Sequence, residues 1–349
     1  MTRIRLGRAE DIGRVMDFIG RHWSPGHVLS RSRSLMDWQH QDRSQPDRYN
    51  WLLAEREGDL LGILGFIPTS LFDRGLAGNN CTWLSLWKVR DDARHAGLGL
   101  GLLRALEKLE PSAPLGVLGI NPAHPPMYRA LGYKTGQLAQ HAVFNPGAAR
   151  KLAAAPASFP LPLPRPGDAV LRPLTAVSLD ADCVGLKLGS RAAAAPAKTP
   201  SYFLNRYLRH PIYRYDLRLV EADGRAQGLL ATRVAEHGGA RALRIVDFLG
   251  ESSVLGRCGS SLGCLLEETG AEYADLWEHG LDRDALAAAG FSRVEPDGPL
   301  IVPNHFEPFT GLRSRIEFAV RGHAGTPFVI MRGDGDQDRP NALPGEASA

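Results

Sequence analysis

The stretch "VRDDARHAGLGLGLLRAL", residues 89–106, sets Gly97 and Gly99 one residue apart, behind Arg94 and at the head of a leucine-rich helical pattern. A turn of this composition suits one kind of chemistry, the holding of an anion. Glycines lack Cβ atoms, so phosphate oxygens can approach the main chain, and successive N–H groups at a helix start converge on them. Arg94 can add a charge-assisted hydrogen bond. Two other phosphate loops are excluded by spacing: no Gly-Lys-Ser/Thr follows, and the full Gly-x-Gly-x-x-Gly with a later acid is missing. A pyrophosphate cradle and a plain turn both remain open from these glycines alone. Elsewhere, "DGDQD" from Asp334 starts like a calcium loop, but the sixth position is Arg339 and the twelfth is Gly345, where such a loop needs glycine and glutamate. A compact polar turn, closing over an acceptor, is the expectation there. Cys81, Cys183, Cys258 and Cys264 form no Cys-x-x-Cys pair, which argues against a disulfide framework or zinc knuckle and for buried reduced thiols.

The elements that must position the turn are readable from periodicity. Residues 2–6 read as a strand, "EDIGRVMDFIGRHW" as a helix opened by acids, and "HVLSRSRSLMDWQHQ" as a second helix. A hairpin over 50–72 follows, then the strand "CTWLSLWKVR", the glycine turn and a helix over 98–109. A strand at 115–120, a helix at 126–131 and a last strand at 134–144 complete the unit. The hairpin recurs: "LAEREGDLLGILG", 53–65, aligns with "LVEADGRAQGLLA", 219–231, at a constant offset of 166. "RALGYKTG", 129–136, likewise matches "AAAGFSRV", 287–294. The chain therefore reads as two copies of one α/β unit. Between them "NPGAARKLAAAPASFPLPLPRPGDAV" can sustain neither a helix nor a central strand. The expected division is a first domain over 1–145, a Pro/Ala-rich linker over 146–168, a second domain over 169–332 and a flexible polar tail over 333–349.

Composition agrees with a globular protein of two domains. The chain has 349 residues, 44% hydrophobic and 23% charged, with a formal net charge of +3. Its arginines are scattered, which gives no support to a nucleic-acid partner. No apolar run approaches the ~20 residues that span a bilayer. The first residues lack the apolar core of a signal peptide, so a cytoplasmic protein with a small-molecule partner and no membrane partner is expected.

The segment beginning at Val89 is similar to the acyl-coenzyme A loop of the GNAT acyltransferase superfamily: a strand ending in Val, then Arg/Gln-x-x-Gly-x-Gly/Ala, then a helix. The motif residues here are Arg94, Gly97 and Gly99. Downstream, "NPAHPPMYRALGY" resembles the family's Asn (Asn121), Tyr seven residues on (Tyr128) and Leu-Gly-aromatic (Leu131 to Tyr133). The resemblance covers about residues 2–144. It implies a mixed, mostly antiparallel sheet flanked by helices, here in two tandem copies, and acetyl-CoA or another acyl-CoA as co-substrate without a metal. The residues it assigns to that co-substrate are Trp87, Lys88 and Val89 on a splayed strand, Arg94, His95, Ala96, Gly97, Leu98 and Gly99 in the loop, and Asn121. Tyr128 becomes the acid that protonates the departing thiolate. The second copy reads "DFLGESSVLGRCGSSLG" at the loop, without the motif, so one coenzyme site is expected and the second half should shape the acceptor pocket or a dimer surface.

Many relatives carry a carboxylate base on the strand that here reads "CTWLSLWKV", which has none. His22, His27, Asp247, His305, Glu307 or a water chain are the candidates. The implied function is N-acyl transfer, with acetyl the favoured acyl group, to a small amine by direct attack on the thioester. An amino sugar of surface polysaccharide is the favoured acceptor. An amino-acid or peptide amine and a non-catalytic acyl-CoA-binding module are the alternatives. Carboxylate-binding arginines in the pocket would favour the amino acid; stacked aromatics and carbonyls would favour the sugar.

Overall fold

The computed structural model describes residues 2–93, 97–155, 161–343 and 345–346. The first strands are β1 (Arg3–Arg8), β2 (Arg48–Arg56), β3 (Asp59–Pro68), β4 (Thr82–Val89), β5 (Leu115–Leu118), β6 (Lys134–Gln137) and β7 (Ala139–Phe144). After them come β8 (Val170–Leu174), β9 (Asp216–Ala222), β10 (Arg225–His237), β11 (Ala240–Gly250), β12 (Tyr273–His279) and β13 (Ser292–Val294). The last are β14 (His305–Phe306), β15 (Phe309–Thr310), β16 (Glu317–Arg321) and β17 (Ile330–Met331).

A seven-stranded sheet has the order β1-β2-β3-β4-β5-β16-β6. An eight-stranded sheet has the order β8-β9-β10-β11-β12-β7-β13, with β17 added beside β12, and β14 and β15 form a separate hairpin. Both large sheets are antiparallel except at one equivalent pair, β4/β5 and β11/β12. Both repeat hairpins turn on two residues of left-handed backbone, Glu57–Gly58 and Asp223–Gly224. That turn matches the twist of the flanking strands.

Helices cover both faces of the first sheet, which is why its strands β2 and β3 are buried almost throughout. Trp51, Leu53 and Ile63 pack with Ile12, Val15 and Ile19 of the Ile12–His22 helix. Their neighbours Leu52, Ala54 and Leu64 point the other way, onto Leu102, Leu103 and Leu106 of the Leu98–Leu109 helix. Each fully buried leucine of that helix contributes about 1.5–3 kcal/mol. A further cluster joins the two units, with Trp83, Leu118 and Phe318 meeting Tyr207, Val246 and Trp277.

Four expectations change. The segment 27–41 is two helices, Val28–Arg31 and Arg33–His40, because the Ser32 hydroxyl caps the second by accepting from Leu35 N–H. The strand expected over 134–144 divides at Leu138: β6 stays in the first sheet and β7 enters the second between β12 and β13. In exchange β16 enters the first sheet between β5 and β6. Each unit thus takes its sixth strand from the other, and neither 1–145 nor 169–332 is a self-contained segment. An apolar period of two identifies a strand but not the sheet it will join. The start of the linker is also pinned, since N–H groups of Lys151, Leu152 and Ala153 donate to the Glu272 carboxylate at 2.7, 2.8 and 2.9 Å. Of the thiols, Cys81 and Cys258 are buried, while Cys264 is exposed.

The largest correction concerns the tail expected from residue 333. Asp334 is 0% exposed and Asp338 is 7% exposed. β11 and β12 pair only over Ala242–Ile245 and Tyr273–Leu276, and past that point residues 330–334 run between them. Arg332 N–H donates to Trp277 O at 3.1 Å and Gly333 N–H to Val246 O at 2.7 Å. A Cβ on Gly333 would run into the Tyr207 hydroxyl and lie 2.9 Å from Val246 O. Lys198 holds the segment from below, with Nζ 2.8 Å from Asp247 and 2.9 Å from Asp334, all three side chains fully buried. Glycine and aspartate read as loop residues in sequence; here their small size and their partners let them occupy the interior.

Asp338 meets Arg233 and Arg332, each at 2.8 Å. Burial pushes its pKa up, and the two guanidinium charges overcome that and hold it well below the usual carboxylate range. Its stabilising contribution is therefore complete above the unfolded value of about 3.9 and is lost as pH falls through the depressed folded value. Asp338→Ala should lower unfolding free energy by about 3–5 kcal/mol at neutral pH, because it leaves buried arginines unpaired. Urea titrations at pH 7 and pH 3 check this: the deficit should shrink in acid.

Candidate active site

A cavity of about 910 Å³ opens where β4 and β5 part. The two strands pair only from Thr82 to Leu84 against Leu115 to Val117. Beyond Leu84, alternate main-chain groups of Ser85 to Val89 have no strand on the β5 side. A bulge on β4 sharpens the departure: Leu64 lies opposite Trp87 while Phe66 lies opposite Leu84, so β4 carries one extra residue. Gly65 makes room for it, since a Cβ there would be 2.5 Å from Ser85 Oγ and 2.8 Å from the Trp51 ring.

The coenzyme residues expected from sequence fall around this opening. Trp87, Lys88, Val89, Gly99 and Asn121 line the cavity. Gly97 and Leu98 sit at the start of the 12-residue Leu98–Leu109 helix, and Gly97 caps it with a left-handed φ of 95°. Among the described residues nothing lies within 4 Å of the Cβ position at Gly97, so its role there is conformational, and a helix start of this kind favours an anion. The Gly99 Cβ position faces the Trp87 indole at 3.5 Å. Arg94, His95 and Ala96 lie outside the described residues. Lys88 is paired with Asp91 at 3.0 Å. The Asn121 side chain accepts from Ala123 N–H at 2.9 Å and so shapes the turn into the Pro125–Ala130 helix.

Tyr128 projects from that helix into the cavity, 4% exposed, in edge contact with Trp87 and with Tyr133. Burial raises its pKa, so the phenol keeps its proton at neutral pH. Of the candidate bases, His27, His305 and Glu307 line the cavity; His22 and Asp247 do not. His22 packs on Phe18 one helical turn back. Asp247 is 0% exposed and holds Lys198 in the filled cleft of the second unit. His27 Nδ1 accepts from Leu29 N–H at 3.2 Å, which leaves the hydrogen on Nε2 and no lone pair for an incoming amine. Burial, with Arg339 and Arg31 adding to it, lowers its pKa to about 3. Glu307 Oε2 accepts from the Tyr213 hydroxyl at 3.0 Å and from Asn341 N–H at 2.9 Å. His305, beside it, has no hydrogen bond among the described residues; burial lowers its pKa, and Arg332 and Arg244 lower it further.

The far wall was not legible in the sequence and comes from the second unit. Arg233 on β10 and Arg244 on β11 are cross-strand neighbours, and Asp275 on β12 lies opposite Arg244. Arg244 grips Asp275 at 3.0 and 2.7 Å. Arg332 completes the group, 6% exposed, on Asp338 and on Asn304. All three arginines line the same cavity as Tyr128. A lone arginine within each of the apolar runs "LLATRVA" and "ALRIVDF" was the available signal. The polar turn does close over the site, since Asp336, Gln337, Arg339 and Asn341 line it too.

No family model matches the chain. In sequence it is 28% identical over 186 residues to phosphinothricin N-acetyltransferase of Streptomyces viridochromogenes, a match that covers 50% of this chain and 96% of that protein. In structure it resembles a GCN5-related N-acetyltransferase from Anabaena variabilis, with a TM-score of 0.56 at 14% identity, over 92% of this chain and 72% of that one. A conserved protein of Enterococcus faecalis, described as a probable N-acyltransferase, gives a TM-score of 0.55 at 12% identity over the same shares. In this chain the splayed parallel pair, the bulged strand and the glycine-opened helix follow one another in sequence. The fold is that of the GCN5-related N-acetyltransferases, and half of the sequence is similar to an N-acetyltransferase.

Gly65→Ala should destabilise the protein by about 1–3 kcal/mol, because the added methyl has no space between Ser85 and Trp51. Thermal denaturation of the purified variant reads the loss directly.

Proposed function

We propose that the protein transfers an acyl group, acetyl first among them, from coenzyme A to the nitrogen of a small amine. One observation carries this reading: a single cavity connects the β4/β5 opening, Tyr128 and His305. The pyrophosphate would lie against the open start of the Leu98–Leu109 helix, where main-chain N–H groups and the helix dipole favour negative charge. The pantetheine arm would follow the free edge of β4, with a main-chain N–H between Trp87 and Val89 polarising the acyl carbonyl.

In the reaction the amine nitrogen attacks the thioester carbon, a C–N bond forms and the C–S bond breaks. His305 accepts the proton lost by the nitrogen, and Tyr128 returns one to the thiolate. His305 suits this role because its lowered pKa keeps it neutral, with a lone pair, at pH 7. It would supply the base that the strand "CTWLSLWKV" lacks. The acceptor enters from the side of the second sheet, which gives the second half of the chain its part in the site.

Calorimetric titration with acetyl-CoA tests the first step. Saturable binding is expected, and Gly97→Val should weaken it at least ~10-fold, because valine resists the left-handed backbone at 97. No binding to the unmodified protein would remove the acyltransferase reading, and binding without thiol release toward any amine would leave a non-catalytic acyl-CoA module. Tyr128→Phe should cut kcat about 10- to 100-fold while the acetyl-CoA Kd stays within a factor of about three. The acid limb of the kcat/KM profile should fall below the ordinary histidine value of about 6.5 and disappear in His305→Gln.

A further inference from the structure

The acceptor wall carries buried guanidinium groups whose donors the described residues do not all use. Arg233, Arg244 and Arg332 are 7%, 1% and 6% exposed, and they share two carboxylates, Asp275 and Asp338. Arg233 and Arg244 stand directly opposite each other on β10 and β11, a placement that repels unless anions intervene. The aspartates take part of the donor set only. Arg233 donates to Asp338 through Nε and one terminal nitrogen, and Arg332 uses Nε on Asp338 and one terminal nitrogen on Asn304. The remaining terminal nitrogens, Arg233 Nη1 and Arg332 Nη2, have no hydrogen bond among the described residues, and both side chains border the cavity.

Arg339 is paired with Asp336, and the Glu307 carboxylate, which accepts from the Tyr213 hydroxyl and Asn341 N–H, makes no ion pair with these arginines among the described residues. Buried guanidinium forks with unused donors are preorganised for a planar oxyanion. From this arrangement we infer that Arg233 and Arg332, backed by Arg244, bind a carboxylate carried by the acceptor, so that the acceptor is an amino acid whose amine faces His305 and Tyr128. A planar carboxylate can take one N–H from each of these two arginines. An uncharged amino sugar would offer them only neutral acceptors.

The inference rests on the acyltransferase reading, and the test separates the two. With the protein saturated with acetyl-CoA, thiol release is measured for proteinogenic amino acids, each set beside the amine that lacks its α-carboxylate: tyrosine with tyramine, methionine with 3-(methylthio)propylamine. Glucosamine and glucosamine 6-phosphate form two further arms. The expected result is a kcat/KM at least ~10-fold higher for the acid in the preferred pair. Arg332→Lys, which keeps the charge and loses the fork, should raise KM for that acid about 10-fold more than it raises KM for the decarboxylated amine. Equal use of acid and amine overturns the carboxylate subsite. So does a preference for either sugar, or the absence of turnover with every acid by protein that binds acetyl-CoA; in all three cases the coenzyme site stands. Absence of acetyl-CoA binding would instead take down the acyltransferase reading and this subsite with it. The paired comparison uses the unmodified protein, so it decides the question even if Arg332→Lys does not fold.

Discussion

The buried run from Ile330 to Asp338 is the constraint on which the rest of the molecule depends. It enters the gap where β11 and β12 part, and Lys198 closes on Asp247 and Asp334 beneath it. Two carboxylates share that one ammonium. Burial raises the Asp334 pKa; Lys198 opposes the rise, and Asp247 adds to it. Such a cluster is stable only with its polar atoms satisfied, and Tyr207 and the main-chain N–H groups of Phe248 and Met331 supply the remaining bonds. The same run then delivers Arg332, Gln337 and Asp338 to the first unit's cavity. Filling one cleft and furnishing the other are thus a single structural act.

This explains how two copies of one unit came to share one site. In both units a parallel strand pair opens beyond a few residues, and a bulge lies on the strand that departs. In the first unit the opening faces the helix capped by Gly97. In the second it faces Gly333, whose Cβ position is already taken by Tyr207 and by the Val246 carbonyl. The second sheet, its own opening filled, presents β10 and β11 as a wall to its neighbour, and the exchanged strands β7 and β16 fix the two units relative to each other.

Electrostatics divide the cavity into two ends. At the β4/β5 opening the field comes from main-chain N–H groups and a helix start, which suits a ligand bound along its length. At the far wall it comes from three buried guanidiniums, held by Asp275, Asp338 and Asn304. Between them stand Tyr128, whose pKa burial raises, and the exposed His305, whose pKa is lowered by partial desolvation and by Arg332 and Arg244. Both shifts favour the protonation states that the proposed acid and base would need.

What the sequence by itself determined is local. The glycine turn before a leucine-rich helix, the repeated hairpins with Glu57–Gly58 and Asp223–Gly224 at their tips, and the succession of strands and helices all follow from backbone preferences and apolar period, which act between near neighbours. The cavity residues Trp87, Gly99, Asn121 and Tyr128 were legible through the resemblance to the GNAT acyl-coenzyme A loop and its downstream motif. Only the tertiary structure decided which sheet β7 and β16 would join, that the polar run after Met331 would be interior, and that Arg233, Arg244 and Arg332 would meet. Those outcomes depend on pairing between residues as far apart as Arg233 and Asp338, which lie 2.8 Å apart across 105 positions of sequence. A buried ion pair looks like two surface charges until the fold supplies its partner, because the charge is tolerable inside only once the opposite charge is beside it.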